Sequence, residues 1–185
     1  MYLDNNHCIS IGAFDKEFCD NIIYIGEKLK IDQARIQDGN NANRSGKVSW
    51  IKDNKVLNNK ILKTIEQHNR RTNWNFKIDK LEPLQYSIYG INDHYDWHID
   101  SHTKPYDDGK IRKISFTINL NEDYEGGEFE LCTPTPKKLD KNIILNDLVL
   151  GTVISFPSFI WHKVHPVTSG VRKVLVGWTL GPTFK

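Results

Sequence analysis

The stretch Ile114-Ser115-Phe116-Thr117-Ile118-Asn119-Leu120 decides the fold. Apolar and polar side chains alternate along it without a break, which is the period of a β-strand with two unlike faces. The period of two begins near Leu84 and persists toward the end of the chain. Glu125-Gly126-Gly127 marks a turn, and Glu128-Phe129-Glu130-Leu131 reads as a short strand after it. Thr133-Pro134-Thr135-Pro136 interrupts pairing. Val149 to Phe156 and Val171 to Leu180 are expected to be two further strands. Short strands divided by turn signals predict a sandwich or barrel of the jelly-roll type.

Ahead of this region the spacing is helical. Asp15 is a plausible N-cap, Phe14 stands where a hydrophobic staple would, and Phe18, Ile22, Ile25 and Leu29 follow at helical intervals. A second helix is expected near Val56 to His68, where Leu57, Ile61 and Ile65 recur. Gln37 to Asn43 reads as a loop. The expectation is a mainly β (α+β) chain forming a single domain over residues 1–185, helical over about 1–75 and β over about 80–183.

Composition narrows the function. The 25 basic residues balance 23 acidic ones, which argues against nucleic-acid binding driven by bulk charge. No apolar run is long enough to span a membrane. Met1 to His7 lacks the charged and apolar regions of a secretory signal, so a cytoplasmic location is expected. Cys8, Cys19 and Cys132 are odd in number and far apart, which suits thiols in a reducing compartment rather than a disulfide framework or a thiolate zinc site.

The chemistry is carried by Tyr95-Asp96-Trp97-His98-Ile99-Asp100 and Phe156-Pro157-Ser158-Phe159-Ile160-Trp161-His162, with Arg172 beyond them. In an extended chain His98 and Asp100 project together. Two imidazoles and one carboxylate are the ligands of the facial triad that holds non-haem Fe(II) with open positions. His162 and His165 compete to be the third ligand, and strand parity puts them on opposite faces without choosing between them. His94-x-x-x-His98 has the spacing of the helical zinc motif, but Tyr95 stands where that motif has Glu and the surroundings read as strand.

Arg172 shares parity with Val174, Val176, Trp178 and Leu180, the expected inward face of the last strand. A guanidinium there is costly unless it meets an anion, and a small dicarboxylate gripped by two parallel hydrogen bonds would supply one. A salt bridge to a distant acid, or snorkelling to the rim, are the alternatives. Tyr89, and with less reason Tyr86, are placed to donate to the same carboxylate. Tyr95, Trp97, Arg112 and Trp178 are candidates for the pocket mouth, Asp96 and Asn119 for orienting the ligands, and Ser101 to Lys110 for a lid.

Several stretches carry a family resemblance: Arg44 to Ile51, Leu84 to Tyr89, Asp93 to Asp100, Arg112 to Ser115, Tyr124 to Glu128, and Phe156 through Arg172 to Trp178. Together they resemble the prolyl-4-hydroxylase-like branch of the 2-oxoglutarate/Fe(II) dioxygenases, including bacterial and phage PKHD-type hydroxylases. The resemblance implies a double-stranded β-helix (jelly roll) with the N-terminal helices packed outside. It implies Fe(II) on His98, Asp100 and His162, 2-oxoglutarate on Arg172 assisted by Tyr89, O2 as co-substrate, and ascorbate as an auxiliary reductant. The implied reaction hydroxylates an unactivated C–H bond, peptidyl proline being one candidate beside other protein side chains, amino acids and nucleotides. His165 departs from the pattern, where members often have Thr or another small residue. Collagen-type animal enzymes carry Lys where this chain has Arg172, which places it nearer the bacterial and phage forms. A non-catalytic jelly-roll module that binds metal or ligand is the alternative.

Overall fold

The computed structural model describes residues 6–34, 43–102, 104–132, 142–146 and 148–184. Strand β1 (Cys8–Ser10) leads into helix α1 (Lys16–Lys28). The Asp15 carboxylate accepts a hydrogen bond from the Phe18 amide at 2.9 Å, the N-cap read from sequence. Phe14 stacks on Phe18 with ring centroids 4.0 Å apart. β2 (Asp32–Gln33) and β3 (Lys47–Ile51) precede helix α2 (Lys55–Arg71), capped by Asn54. The remainder holds β4 (Lys80–Leu81), β5 (Leu84–Tyr89), β6 (Tyr95–His98), β7 (Lys110–Asn119), β8 (Tyr124–Gly126) and β9 (Phe129–Cys132). It ends with β10 (Asn142–Leu145), β11 (Val153–Pro157), β12 (His162–Val164), β13 (Val167–Gly170) and β14 (Arg172–Pro182).

The major sheet runs β1-β11-β7-β14-β5-β3-β2, with β4 beside β14. The minor sheet runs β10-β9-β12-β6, and β13 pairs with β8 in a separate ribbon. The named strand pairs are antiparallel throughout. The N-terminal third is therefore not purely helical, since β1, β2 and β3 complete the major sheet. These strands are too short to show a period of their own.

Two cores lie on the two faces of the major sheet. Phe18, Ile22, Leu57, Ile61 and Ile65 from the helices meet Leu84, Tyr86, Ile114, Phe116, Ile118 and Leu175 on one side. Tyr89, Phe156 and Val174 meet Phe129, Leu131 and Val164 of the minor sheet on the other. The alternation in β7 is thus resolved in space: its aliphatic face covers the helices, while Ser115 and Thr117 line the cavity between the sheets. Burying each large aliphatic side chain stabilises by about 1.5–3 kcal/mol, so the helix face anchors the sheet and leaves the other face free for polar groups.

Some boundaries differ from the sequence reading. β11 starts at Val153 rather than Val149, because the chain turns through Gly151 in the left-handed region (φ +71). The inward parity of β14 holds through Trp178 and breaks where its register against β7 shifts between Thr179 and Leu180. Leu29 caps the end of α1 and is exposed rather than buried. The loop expected at Gln37 to Asn43 (apart from Asn43 itself) and the interruption at Thr133 to Pro136 lie outside the described residues.

Candidate metal centre and anion pocket

A cavity of about 630 Å³ opens between the two sheets. His98, at the end of β6, pairs in register with His162, at the start of β12. Asp100 lies just beyond the strand, where its amide and that of Ser101 both donate to the Ser158 carbonyl at 3.0 Å. That bend, rather than strand parity alone, brings the carboxylate beside the imidazoles. His98 Nε2 is 3.9 Å from Asp100 Oδ1, and His162 Nε2 is 3.4 Å from Asp100 Oδ2. The ligand atoms of the three residues all lie within 4.8 Å of one another. Ligands on one ion at about 2.0–2.2 Å stand no more than about 4.4 Å apart, so only a small contraction separates this arrangement from a chelate.

The tautomers suit coordination. His98 Nδ1 donates to the Asp96 carbonyl at 2.7 Å, and His162 Nδ1 donates to the Ile160 carbonyl at 2.9 Å. Each Nε2 keeps its lone pair directed into the shared space. Burial, and then the neighbouring His162, hold His98 well below its ordinary pKa, so the imidazole stays neutral. Burial alone would raise Asp100. Positive charge on the His162 and His98 imidazoles, where either is protonated, together with Ser115 and Trp178, outweighs it and lowers the carboxyl's pKa. The Trp178 indole N–H satisfies no strict hydrogen-bond geometry and acts on this carboxylate by proximity.

Arg172 enters the cavity from β14, opposite Tyr89 of β5 in register. It is 1% exposed, and Nε, Nη1 and Nη2 are all buried without a hydrogen-bond partner among the described residues. The guanidinium carbon stands 5.7 Å from the centre of the Tyr89 ring. Gly127 explains how the stem fits: a Cβ there would lie 2.8 Å from Arg172 Cδ, and the backbone is left-handed at that residue (φ +65). An unpaired buried cation is among the most expensive groups a core can hold, and an anion in the cavity would offset that cost. With two imidazoles and a carboxylate nearby, the donor set fits a divalent metal and a bound acid together.

Other residues read from sequence fall into place. Tyr95, Trp97, Arg112 and Trp178 all line the cavity, as do Trp50 and Trp161. Tyr86 does not: it points into the helix-side core, with its hydroxyl toward Glu27. Asp96 orients His98 through its carbonyl rather than its carboxylate. Asn119 serves elsewhere, bridging the Asn121 and Leu148 carbonyls. His165 lies off the cavity and meets Glu130 at 2.6 Å, which leaves His162 as the inward imidazole. Ser101 to Lys110, apart from Thr103, is tied down through Tyr106, whose hydroxyl donates to Glu82 at 3.0 Å. Glu82 also receives Arg112 in two hydrogen bonds of 2.9 and 2.7 Å, and Arg112 lies 4.0 Å over the Trp178 ring. Glu82 has no signal in the sequence, since nothing marks its partner.

Comparison with known proteins agrees with this geometry. The family profile described as the 2OG-Fe(II) oxygenase superfamily matches residues 84–180. A PKHD-type hydroxylase of Synechococcus sp. strain CC9902 is 30% identical over 133 residues, covering 71% of this chain and 51% of the relative. A PKHD-type hydroxylase of Hyphomonas neptunium is 38% identical over 102 residues, covering 54% and 43%. The chain thus spans about half the length of the curated relatives it matches. Among solved structures, the viral collagen prolyl hydroxylase of Paramecium Bursaria Chlorella virus-1, in its 2OG complex, superposes with a TM-score of 0.69. It is 19% identical, with 95% of this chain and 96% of that one covered. A Pseudomonas putida prolyl-4-hydroxylase also gives 0.69 at 16% identity, covering 94% and 91%. These likenesses establish the jelly-roll fold, and the match over residues 84–180 shows that the chain belongs to the 2OG-Fe(II) oxygenase superfamily.

Proposed function

We propose that this protein is an Fe(II)- and 2-oxoglutarate-dependent hydroxylase. His98, Asp100 and His162 hold the metal, and Arg172 binds the far carboxylate of 2-oxoglutarate with Tyr89 forming the wall beside it. The observation that carries this reading is the buried, unpartnered Arg172 guanidinium in the same cavity as the His/Asp/His cluster. Family membership supports the same assignment. Bound iron, with 2-oxoglutarate and O2, supplies oxidative decarboxylation to succinate and CO2 and hydroxylation of an unactivated C–H bond. The chain's own part is placement. Arg172 fixes one end of the acid, the paired imidazoles fix the metal, and Phe129, Phe156 and Val164 exclude water from behind.

Peptidyl proline is the proposed substrate. Its support is a mouth walled by Trp50, Trp97, Trp161 and Trp178, suited to an apolar ring, together with relatives named as PKHD-type hydroxylases. Ascorbate belongs to the same proposal as a reductant that restores Fe(II). Free thiols at Cys8, Cys19 and Cys132 suit a reducing cytoplasm, and among the described residues no helix is long and apolar enough to cross a membrane.

Anaerobic Fe(II) with 2-oxoglutarate is expected to give a weak visible charge-transfer band, lost in His98→Ala and Asp100→Ala. Succinate release, screened over prolyl peptides, amino acids and nucleotides, identifies the substrate. A band that survives both substitutions overturns the ligand assignment. Binding of metal and acid without succinate from any substrate returns the protein to the class of non-catalytic modules.

A further inference from the structure

The strand that carries His98 is a poor platform for a metal ligand. β6 is four residues long and lies at the edge of the minor sheet, and among the described residues β12 is its one partner strand. Edge strands fray and slip more readily than central ones. The single hydrogen bond from His98 Nδ1 to Asp96 fixes the tautomer but braces only one side of the ring.

The strand is also irregular in an informative way. His162 pairs with His98 and Val164 pairs with Tyr95, so two steps along β12 answer three along β6. This bulge turns residues that would face apart in a regular strand onto one face. Tyr95 consequently lies flat on the His98 imidazole, with ring centroids 3.5 Å apart and planes 13° from parallel. The far side of the phenol is covered in turn: the Arg44 guanidinium carbon stands 4.5 Å from its centre. Arg44 reaches that position because its backbone bridges Tyr95, while the Ser45 amide donates to the His94 carbonyl at 3.0 Å. His162 needs no such device, since it sits on a central strand beside Phe156 and Phe129.

We propose that Tyr95, clamped by Arg44, is a positioning residue that holds the His98 imidazole in its metal-binding orientation. The stack does for His98 what core packing does for His162, and the segment before β3 closes the open edge of β6. Guanidinium and aromatic faces attract one another, and stacked rings resist the rotation that would swing Nε2 away. Partners that orient a metal-bound histidine are commonly worth 10–100-fold in affinity, which sets the size of the expected effect.

The inference rests on the metal reading above, and the test separates the two. Co(II) serves as the probe, its affinity measured by titration and its two coordinated imidazoles followed through their shifted ring N–H resonances. His98→Ala checks the site itself: undiminished Co(II) affinity there sinks the metal reading. Tyr95→Phe keeps the ring and is expected to bind Co(II) within about twofold of the parent. Tyr95→Leu is expected to bind about tenfold more weakly at unchanged circular dichroism, and to move the His98 resonance while leaving that of His162 in place. Unchanged affinity in Tyr95→Leu, or equal movement of both resonances, overturns the proposal. Should Tyr95→Leu fail to fold, Arg44→Gln decides with the ring intact: a selective shift of the His98 resonance supports the clamp, and a spectrum identical to the parent's rejects it.

Discussion

His165 Nε2 stands 2.6 Å from Glu130 Oε2, away from the cavity into which His162 points. Lys163 approaches the same carboxylate at 3.2 Å and Asn142 at 2.5 Å. The two histidines therefore serve different faces of one sheet. His165→Gln is expected to leave Co(II) affinity within about twofold of the parent, whereas His162→Gln lowers it by well over tenfold. Titration of both variants, beside the parent, checks the assignment.

Arg172 predicts a conflict between stability and binding. Without an anion its guanidinium is a buried charge with no partner. Replacing such a charge by an apolar side chain of similar volume often stabilises by about 1–4 kcal/mol. Arg172→Met is thus expected to raise the melting temperature of the ligand-free protein and to abolish the further rise that 2-oxoglutarate gives the parent. Thermal unfolding with and without the acid reads both effects. A ligand-dependent rise that persists in the variant would move the acid site elsewhere.

Glu82 and Arg112 form a desolvated bidentate pair, with side chains 13% and 14% exposed. Removing one partner of such a pair costs about 3–5 kcal/mol, because the other is left buried and charged. Glu82→Ala is expected to lose stability on that order and to expose the chain near Lys104 and Lys110 to trypsin, since Tyr106 loses its acceptor as well. Glu82→Leu combined with Arg112→Met is expected to recover most of the stability without restoring the protection. Urea unfolding and timed proteolysis distinguish the two contributions.

His68 gives the fold a pH dependence. It is buried between α2 and the major sheet, with Nε2 2.7 Å from Ser10 Oγ and Nδ1 2.5 Å from Ser155 Oγ. Burial, and then the charge of Arg71, push its pKa down from 6.5 to about 4. Between those values the unfolded chain binds the proton and the folded chain does not. The native state therefore keeps its full stability above about pH 6.5, loses it as pH falls through this window, and loses no more on this account below about pH 4. The loss is on the order of 3 kcal/mol. His68→Gln, which cannot protonate, is expected to show a flatter decline, read from urea midpoints between neutral and acid pH.

The sequence made the candidate ligands legible because their chemistry is rare and their spacing is informative. His98, Asp100, His162 and Arg172 converge in one cavity as expected. The alternation in β7 announced a strand but not which face meets the site, since either face could have met the helices. Tyr95 was read as a pocket-mouth residue, but its stack on His98 and its contact with Arg44 stayed hidden because a bulge reverses the parity on which the reading relied, and because the contact joins distant segments. Glu82 was invisible for a similar reason: its partners Arg112 and Tyr106 come from other elements, and no local pattern marks a buried ion pair. β1, β2 and β3 were missed because strands of two to five residues carry too few side chains to reveal a period.

The double grip of the Ser158 carbonyl on the Asp100 and Ser101 amides has a consequence for the metal-free state. The bend beneath the carboxylate is held by backbone hydrogen bonds, which need no ion. Removing a metal from His98, Asp100 and His162 is therefore expected to leave these two backbone hydrogen bonds in place.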